Sequence, residues 1–141
     1  MNQREPFPNS KLEENLMRSA RSAYPNECAG IVVRGTDGCL RTIPCPDTHT
    51  DNLHFELPAR LFWSTRQHHQ HIVAFYHSHP DGTGCLSVDD QRTMFVGKEP
   101  AWPGVDWYVI ALDRTRVEIP IRYTWSNQHK RFQQAGVDSC I

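Results

Sequence analysis

At 141 residues with 38% hydrophobic content, the chain is long enough for one hydrophobic core and too short for two. A formal charge of -1 with no block of Lys or Arg gives no electrostatic basis for binding nucleic acid, and no apolar run nears the ~18 residues that a membrane helix needs. Met1 to Pro6 lacks an apolar signal region, and the five Cys (28, 39, 45, 85, 140) contain no C-x-x-C pair. These features predict free thiols in a reducing, cytoplasmic compartment.

Residues 1–9, with Pro6 and Pro8, read as a loose lead-in. Ser10 and Glu13 form a capping-box pattern, and Leu12, Leu16, Ala20 and Tyr24 recur at helical spacing up to Pro25. Cys28 to Arg34 is apolar and β-branched. The turn Gly35-Thr36-Asp37-Gly38 then lets Cys39 to Cys45 pair back as a hairpin. Phe55-Glu56-Leu57 reads as a short strand, and Pro58 starts a helix running to about His69. Ile72-Val73-Ala74-Phe75-Tyr76 is a buried strand, and Ser87 to Val96 a short helix capped by Ser87. Trp102-Pro103-Gly104 turns the chain into two strands, Val105 to Leu112 and Val117 to Tyr123. The polar tail from Ser126 holds one helical stretch, Gln128 to Gln134. This order predicts an α/β fold with a mixed sheet flanked by helices, as one domain over 1–125 followed by a polar tail over 126–141.

The chemistry concentrates where the buried strand ends. His77 and His79 are two apart, so on a strand they face the same way. Pro80, Asp81, Gly82 and Gly84 then break the strand. Ser87 and Asp90 follow, three apart, and share one helix face. Two imidazoles and a carboxylate are a donor set for Zn²⁺, and three protein ligands leave one position open for water, as catalytic sites do. Taken alone, Ser-x-x-Asp is a capping box and His-x-His a polar surface pair. The strand, turn and helix together favour ligation. Cys85 lies inside the loop, but the His/His/Asp set already suffices.

The pattern His-x-His, seven residues, Ser-x-x-Asp resembles the signature of the JAMM (MPN-plus, JAB domain) metallopeptidases, complete in residue type and spacing. Pro25, Glu27 and Gly30 are similar to that family's upstream Glu element, and the resemblance spans roughly Leu12 to Trp125. One departure is Leu86, where many members have Pro before the motif Ser. The resemblance implies a deaminase-like three-layer arrangement and one Zn²⁺ per chain on His77, His79 and Asp90. It also implies Glu27 as general base and Ser87 as oxyanion donor. Without it, Glu27 would read as a solvated carboxylate at a strand entrance. Ser78 should point to the other side of the strand and support the backbone.

Stand-alone domains of this kind resemble peptidases that cut after the Gly-Gly tail of ubiquitin-like or sulfur-carrier proteins. Trp102 to Leu112 is similar to the stretch after the metal motif in that group. Phe75, Tyr76, Trp102 and Trp107 are candidate walls of a narrow approach to the metal, with some of them expected in the core. The alternatives are a phage tail-assembly JAMM protease and a non-catalytic MPN-type scaffold. Either way the expected partner is a protein, with neither nucleic acid nor membrane implied.

Overall fold

The computed structural model describes residues 4–45, 64–67, 70–115 and 120–135. Helix α1 spans Ser10–Ala23 and buries Leu12, Leu16 and Ala20, the stripe expected from their spacing. Enclosing a side chain such as Leu16, which is fully buried, contributes about 1.5–3 kcal/mol. The cap lies one residue earlier than the Ser10 pattern predicts. Asn9 Oδ1 accepts from the Leu12 N–H at 2.8 Å, and Asn9 Nδ2 donates to the Pro6 carbonyl at 2.9 Å. Asn is a preferred cap, and here it is held from both sides.

The lead-in, expected to be loose, is tied down in its described part. Glu5 accepts from the Leu40 N–H at 2.6 Å, Arg34 donates to the Glu5 carbonyl at 2.8 Å, and Phe7 packs against the α1 core.

Strands β1 (Ala29–Arg34) and β2 (Leu40–Pro44) form the expected hairpin. Strand β3 (His71–His79) pairs antiparallel with β1 and parallel with β6 (Asp106–Ala111). Between them lie α2 (Val88–Met94) and the short pair β4 (Phe95–Val96) and β5 (Glu99–Pro100). Strands β7 (Ile121–Ser126) and β8 (Arg131–Gln134) complete a six-stranded sheet in the order β2-β1-β3-β6-β7-β8. The expected strand Phe55-Glu56-Leu57 lies outside the described residues. Of the helix expected after it, residues 64–67 are helical and the remainder lies outside the described residues.

Two expectations change. The helix after Ser87 stops at Met94, and Phe95–Val96 goes into β4, turning back through Gly97 at φ 63°. The stretch Gln128 to Gln134 is a turn and a strand, not a helix. Phe132 sits opposite Trp125, with ring centroids 5.2 Å apart, and both rings contact Phe95. Cross-strand aromatic pairing outweighs the weak helical preference of that polar stretch.

The sheet has a core on each face. On one, α1 covers Val32, Ala74, Tyr76, Tyr108 and Ile110. On the other, Met94 from α2 packs with Ile31, Val33, Phe75, Trp107 and Val109. Helices on both faces make three layers. A bulge opposite Val32 and Val33 leaves Val73 without a register partner, so Val73 and Ala74 both turn to the α1 side. From there alternation places Tyr76 and Ser78 toward α1, and Phe75, His77 and His79 toward α2.

Candidate metal centre

The site lies at the carboxyl end of β3, beside its parallel partner β6, where His77 is in register with Val109 and His79 with Ala111. Open α/β sheets place ligands at such strand ends. Both imidazoles are 8% exposed, as is Asp90. The carboxylate straddles the two rings: its Oδ1 is 3.1 Å from His77 Nε2 and its Oδ2 is 3.1 Å from His79 Nε2. The two Nε2 atoms face each other at 3.0 Å.

Local structure explains the convergence. After Pro80, Asp81 Oδ1 accepts from the Thr83 N–H at 3.0 Å, and Gly82 takes φ 86°, where a side chain would be strained. Tyr123 Oη donates to the Gly84 carbonyl at 2.8 Å and pins the loop to β7. Leu86, the departure from the motif's usual Pro noted above, packs into the α2-side core. Ser87 then caps α2: its Oγ accepts from the Asp90 N–H at 2.9 Å, and its own N–H donates to Asp90 Oδ2 at 2.9 Å. The capping box and the ligand geometry are therefore one device. The reciprocal bond that caps the helix also aims the Asp90 carboxylate.

The donor set fits a metal on a specific ground. A carbonyl only accepts, so the 3.0 Å contact between His79 Nδ1 and the Thr83 oxygen requires a proton on Nδ1. In the neutral ring, Nε2 is then a lone pair aimed at a carboxylate oxygen and a second imidazole. A cation or a proton must stand among these donors. Nitrogen and oxygen ligands ~2.0–2.2 Å from a tetrahedral Zn²⁺ lie ~3.3 Å from one another, close to the spacing here. His77, His79 and Asp90 can thus hold a metal ion.

The electrostatics agree. Burial disfavours charge on both His79 and Asp90. Hydrogen bonding to Asp90 nevertheless raises the pKa of His79 above 6.5. His77 and His79 hold the Asp90 carboxyl well below the usual carboxylate range. Proton and metal compete for the same lone pair.

Glu27 stands half-buried at the entrance to β1. Burial raises its pKa above 4.5, the charges of His77 and His79 oppose that rise, and Asp90 and Asp81 add to it. Glu27 is thus within electrostatic reach of the three donors without being one of them. Ser78, fully buried, faces away from the donors as expected. Its Oγ accepts from the Cys28 N–H at 2.8 Å, and its N–H donates to the Cys28 carbonyl at 2.9 Å. This tie holds the residue after Glu27 against the ligand-bearing strand.

Other expectations fail here. Phe75, Tyr76 and Trp107 are 1%, 1% and 2% exposed, so they are core and build no wall of an approach. Trp102 is partly buried, edge-on to Phe75 at 5.2 Å. Strand alternation and α1 packing enclose these rings. Cys85 is disulfide-bonded and offers no thiolate, against the expectation of free thiols, whereas Cys28, Cys39 and Cys45 are in no disulfide. Sequence reasoning missed the Thr83 carbonyl and Tyr123. Asp81-x-Thr83 was legible as a turn, but which carbonyl meets His79 depends on how the loop closes.

Fold and site together define a small three-layer α/β domain with a His-His-Asp centre at the end of a central strand. Residues 9–127 match the family of prokaryotic homologs of the JAB domain (Prok-JAB), and the chain belongs to it. The fold is similar to the solution structure of a Desulfitobacterium hafniense protein, with TM-score 0.60 and 21% identity, covering 89% of this chain and 86% of that one. It is also similar to that of a Salinibacter ruber protein, with TM-score 0.57 and 15% identity, covering 94% and 90%. No curated protein matches the chain.

Proposed function

We propose that the protein is a zinc-dependent peptidase that hydrolyses the amide bond after the Gly-Gly tail of a ubiquitin-like or sulfur-carrier protein. The observation that carries this reading is the convergence of His77, His79 and Asp90, with the ionisable Glu27 in electrostatic reach. Zn²⁺ bound to these three residues would supply Lewis acidity and make water nucleophilic near neutral pH. Glu27 accepts the proton of the attacking water as the oxygen–carbon bond forms, then passes it to the leaving amine as the carbon–nitrogen bond breaks. Burial suits it to that exchange, because a raised pKa makes the carboxylate a stronger base toward water and brings it nearer the operating pH. Ser87 Oγ already accepts from the Asp90 N–H, so its own proton is free to donate to the oxyanion of the tetrahedral intermediate.

The Gly-Gly preference rests on the shape of such a tail, which is thin and extended and can lie beside a sheet end without side-chain clashes. The test is a purified carrier extended by one residue past Gly-Gly, incubated with the zinc-loaded protein without ATP and read by intact mass. Release of the extension is expected. It should be abolished by chelator and by replacing the second Gly with a bulky residue. Failure on several such carriers, with cleavage of a phage tail protein instead, would move the reading to tail assembly. Stoichiometric zinc with no hydrolysis of any protein would leave a binding scaffold.

A further inference from the structure

The loop that leads from β3 to α2 is seated on β7, two strands away. Register places His77, Val109 and Ile121 in one row across β3, β6 and β7, and Phe75, Trp107 and Tyr123 in the row before it. Residues in such rows share a face of the sheet. Ile121 and Tyr123 therefore point to the α2 side with the two histidines, and both belong to the core there. They reach the same loop residue. The Tyr123 hydroxyl meets the Gly84 carbonyl at 2.8 Å, and the Ile121 side chain stands where a Cβ at position 84 would lie. Only glycine lets the loop backbone come this close to β7.

Tyr123 is 3% exposed, and a phenylalanine would fill the same core space. What the hydroxyl adds is one bond. Burial and the charge of Asp90 both push its pKa up, so the phenol keeps the proton that it donates. The carbonyl one residue earlier, that of Thr83, meets His79 Nδ1 at 3.0 Å. Two successive carbonyls are thus fastened, one to the sheet and one to a metal donor. The turn around them is exposed at Asp81, Gly82 and Thr83. Its bond from the Thr83 N–H to Asp81 ties two loop residues to each other and not to the sheet.

We propose that Tyr123 is a positioning residue for the metal centre: by holding the Gly84 carbonyl it fixes the Thr83 carbonyl against His79 and keeps Nε2 of that ring as the metal-facing lone pair. The inference rests on the metal site of the function proposed above. In a free neutral imidazole the proton can sit on either nitrogen. An oriented acceptor at Nδ1 selects one form before a metal arrives, and apparent affinity scales with the fraction of protein in the competent form. Losing an outer partner of a metal-bound histidine typically costs about 10–100-fold in affinity. Tyr123 acts through one intervening residue, so the lower end, about tenfold, is expected.

The experiment measures zinc affinity by competition with a chromophoric chelator, at one pH, with thermal unfolding of the zinc-free protein alongside. All samples share one redox state, since the Cys85 disulfide also restrains the loop. Tyr123→Phe should bind zinc about tenfold more weakly. Gly84→Ala should weaken binding as well, because its methyl collides with Ile121 Cδ1. Adding Ile121→Val removes that atom and should restore most of the affinity. Ile31→Val, a trimmed core position on the same face but on β1, should lower Tm and leave zinc affinity unchanged. Tyr123→Phe affinity within about threefold of wild type overturns the proposal. So does an equal loss in Ile31→Val, which would make the effect one of general stability. If Tyr123→Phe fails to fold, the Gly84 pair decides, and a loss that Ile121→Val does not relieve overturns the proposal. Wild-type protein that binds no zinc overturns the metal-site reading itself. Hydrolysis is not read in any arm, so the outcome stands apart from the choice of substrate.

Discussion

Ser87 carries two jobs, and its substitutions separate them. As a cap, its Oγ accepts from the Asp90 N–H at 2.9 Å. Losing such a cap typically costs about 1 kcal/mol, a fall in Tm of roughly 3–5 °C for a domain of this size. As an oxyanion donor, its loss removes about 2.7–4 kcal/mol of transition-state stabilisation, or about 10²–10³ in kcat. Ser87→Ala should show both effects. Ser87→Asp keeps a cap acceptor but has no hydroxyl proton, so it should melt close to wild type and still lose turnover. Ser87→Thr keeps both and should retain most activity. All three should bind zinc, because the bond that aims Asp90 Oδ2 comes from the backbone N–H of residue 87 and not from its side chain. The assays are thermal unfolding, metal analysis and single-turnover cleavage of an extended carrier. Turnover within about threefold of wild type in Ser87→Ala refutes the oxyanion role, given the magnitude above. An unchanged Tm refutes the cap.

Metal binding should be one per chain and should vanish in the double variant His77→Ala plus His79→Ala, as read by elemental analysis of purified protein. Because His79 holds its proton to a higher pH than a free imidazole, the pair it makes with Asp90 stabilises metal-free protein below pH 6.5 and loses that contribution as pH rises through the raised value. Zinc requires the deprotonated ring, so the Tm gain on adding zinc should be larger at about pH 8 than at about pH 6; the reverse order would contradict the ligand assignment of His79. Glu27→Gln should keep zinc and fold while turnover falls about 10²–10⁴-fold. The wild-type rate should drop as pH falls through a Glu27 value above 4.5, and Glu27→Gln should lack that acidic limb. Gly30→Ala should destabilise by about 1–3 kcal/mol or more, measured by urea unfolding, because the added methyl would collide with the Tyr76 hydroxyl and the Ile43 carbonyl.

Much of this protein was legible locally. The α1 stripe, the β1–β2 hairpin, the strand ending in two histidines and the cap at Ser87 follow from periodicity and turn chemistry, which act over a few residues. His77, His79 and Asp90 were readable for the same reason. Strand alternation and one short turn bring them together within 14 residues, and the structure places their donor atoms about one metal's width apart. The misreadings have a common cause. Gln128 to Gln134 is polar enough to suit a helix, but Phe132 gains more from lying across from Trp125. Phe75, Tyr76 and Trp107 were candidate walls of the approach with some expected in the core, and sheet pairing encloses all three.

Only the tertiary structure could bring Glu27 to a centre some 50 residues further along the chain. Ser78 bonds both backbone groups of Cys28, and the β1–β3 register sets Ala29 against His77. The His79 tautomer was equally unreadable, because it depends on which carbonyl the loop presents once Tyr123 has fastened it to β7. Residue types state which chemistry is available. Which groups meet is decided by long-range pairing, where the ordering of two distant segments must be offset by contacts that neither makes alone.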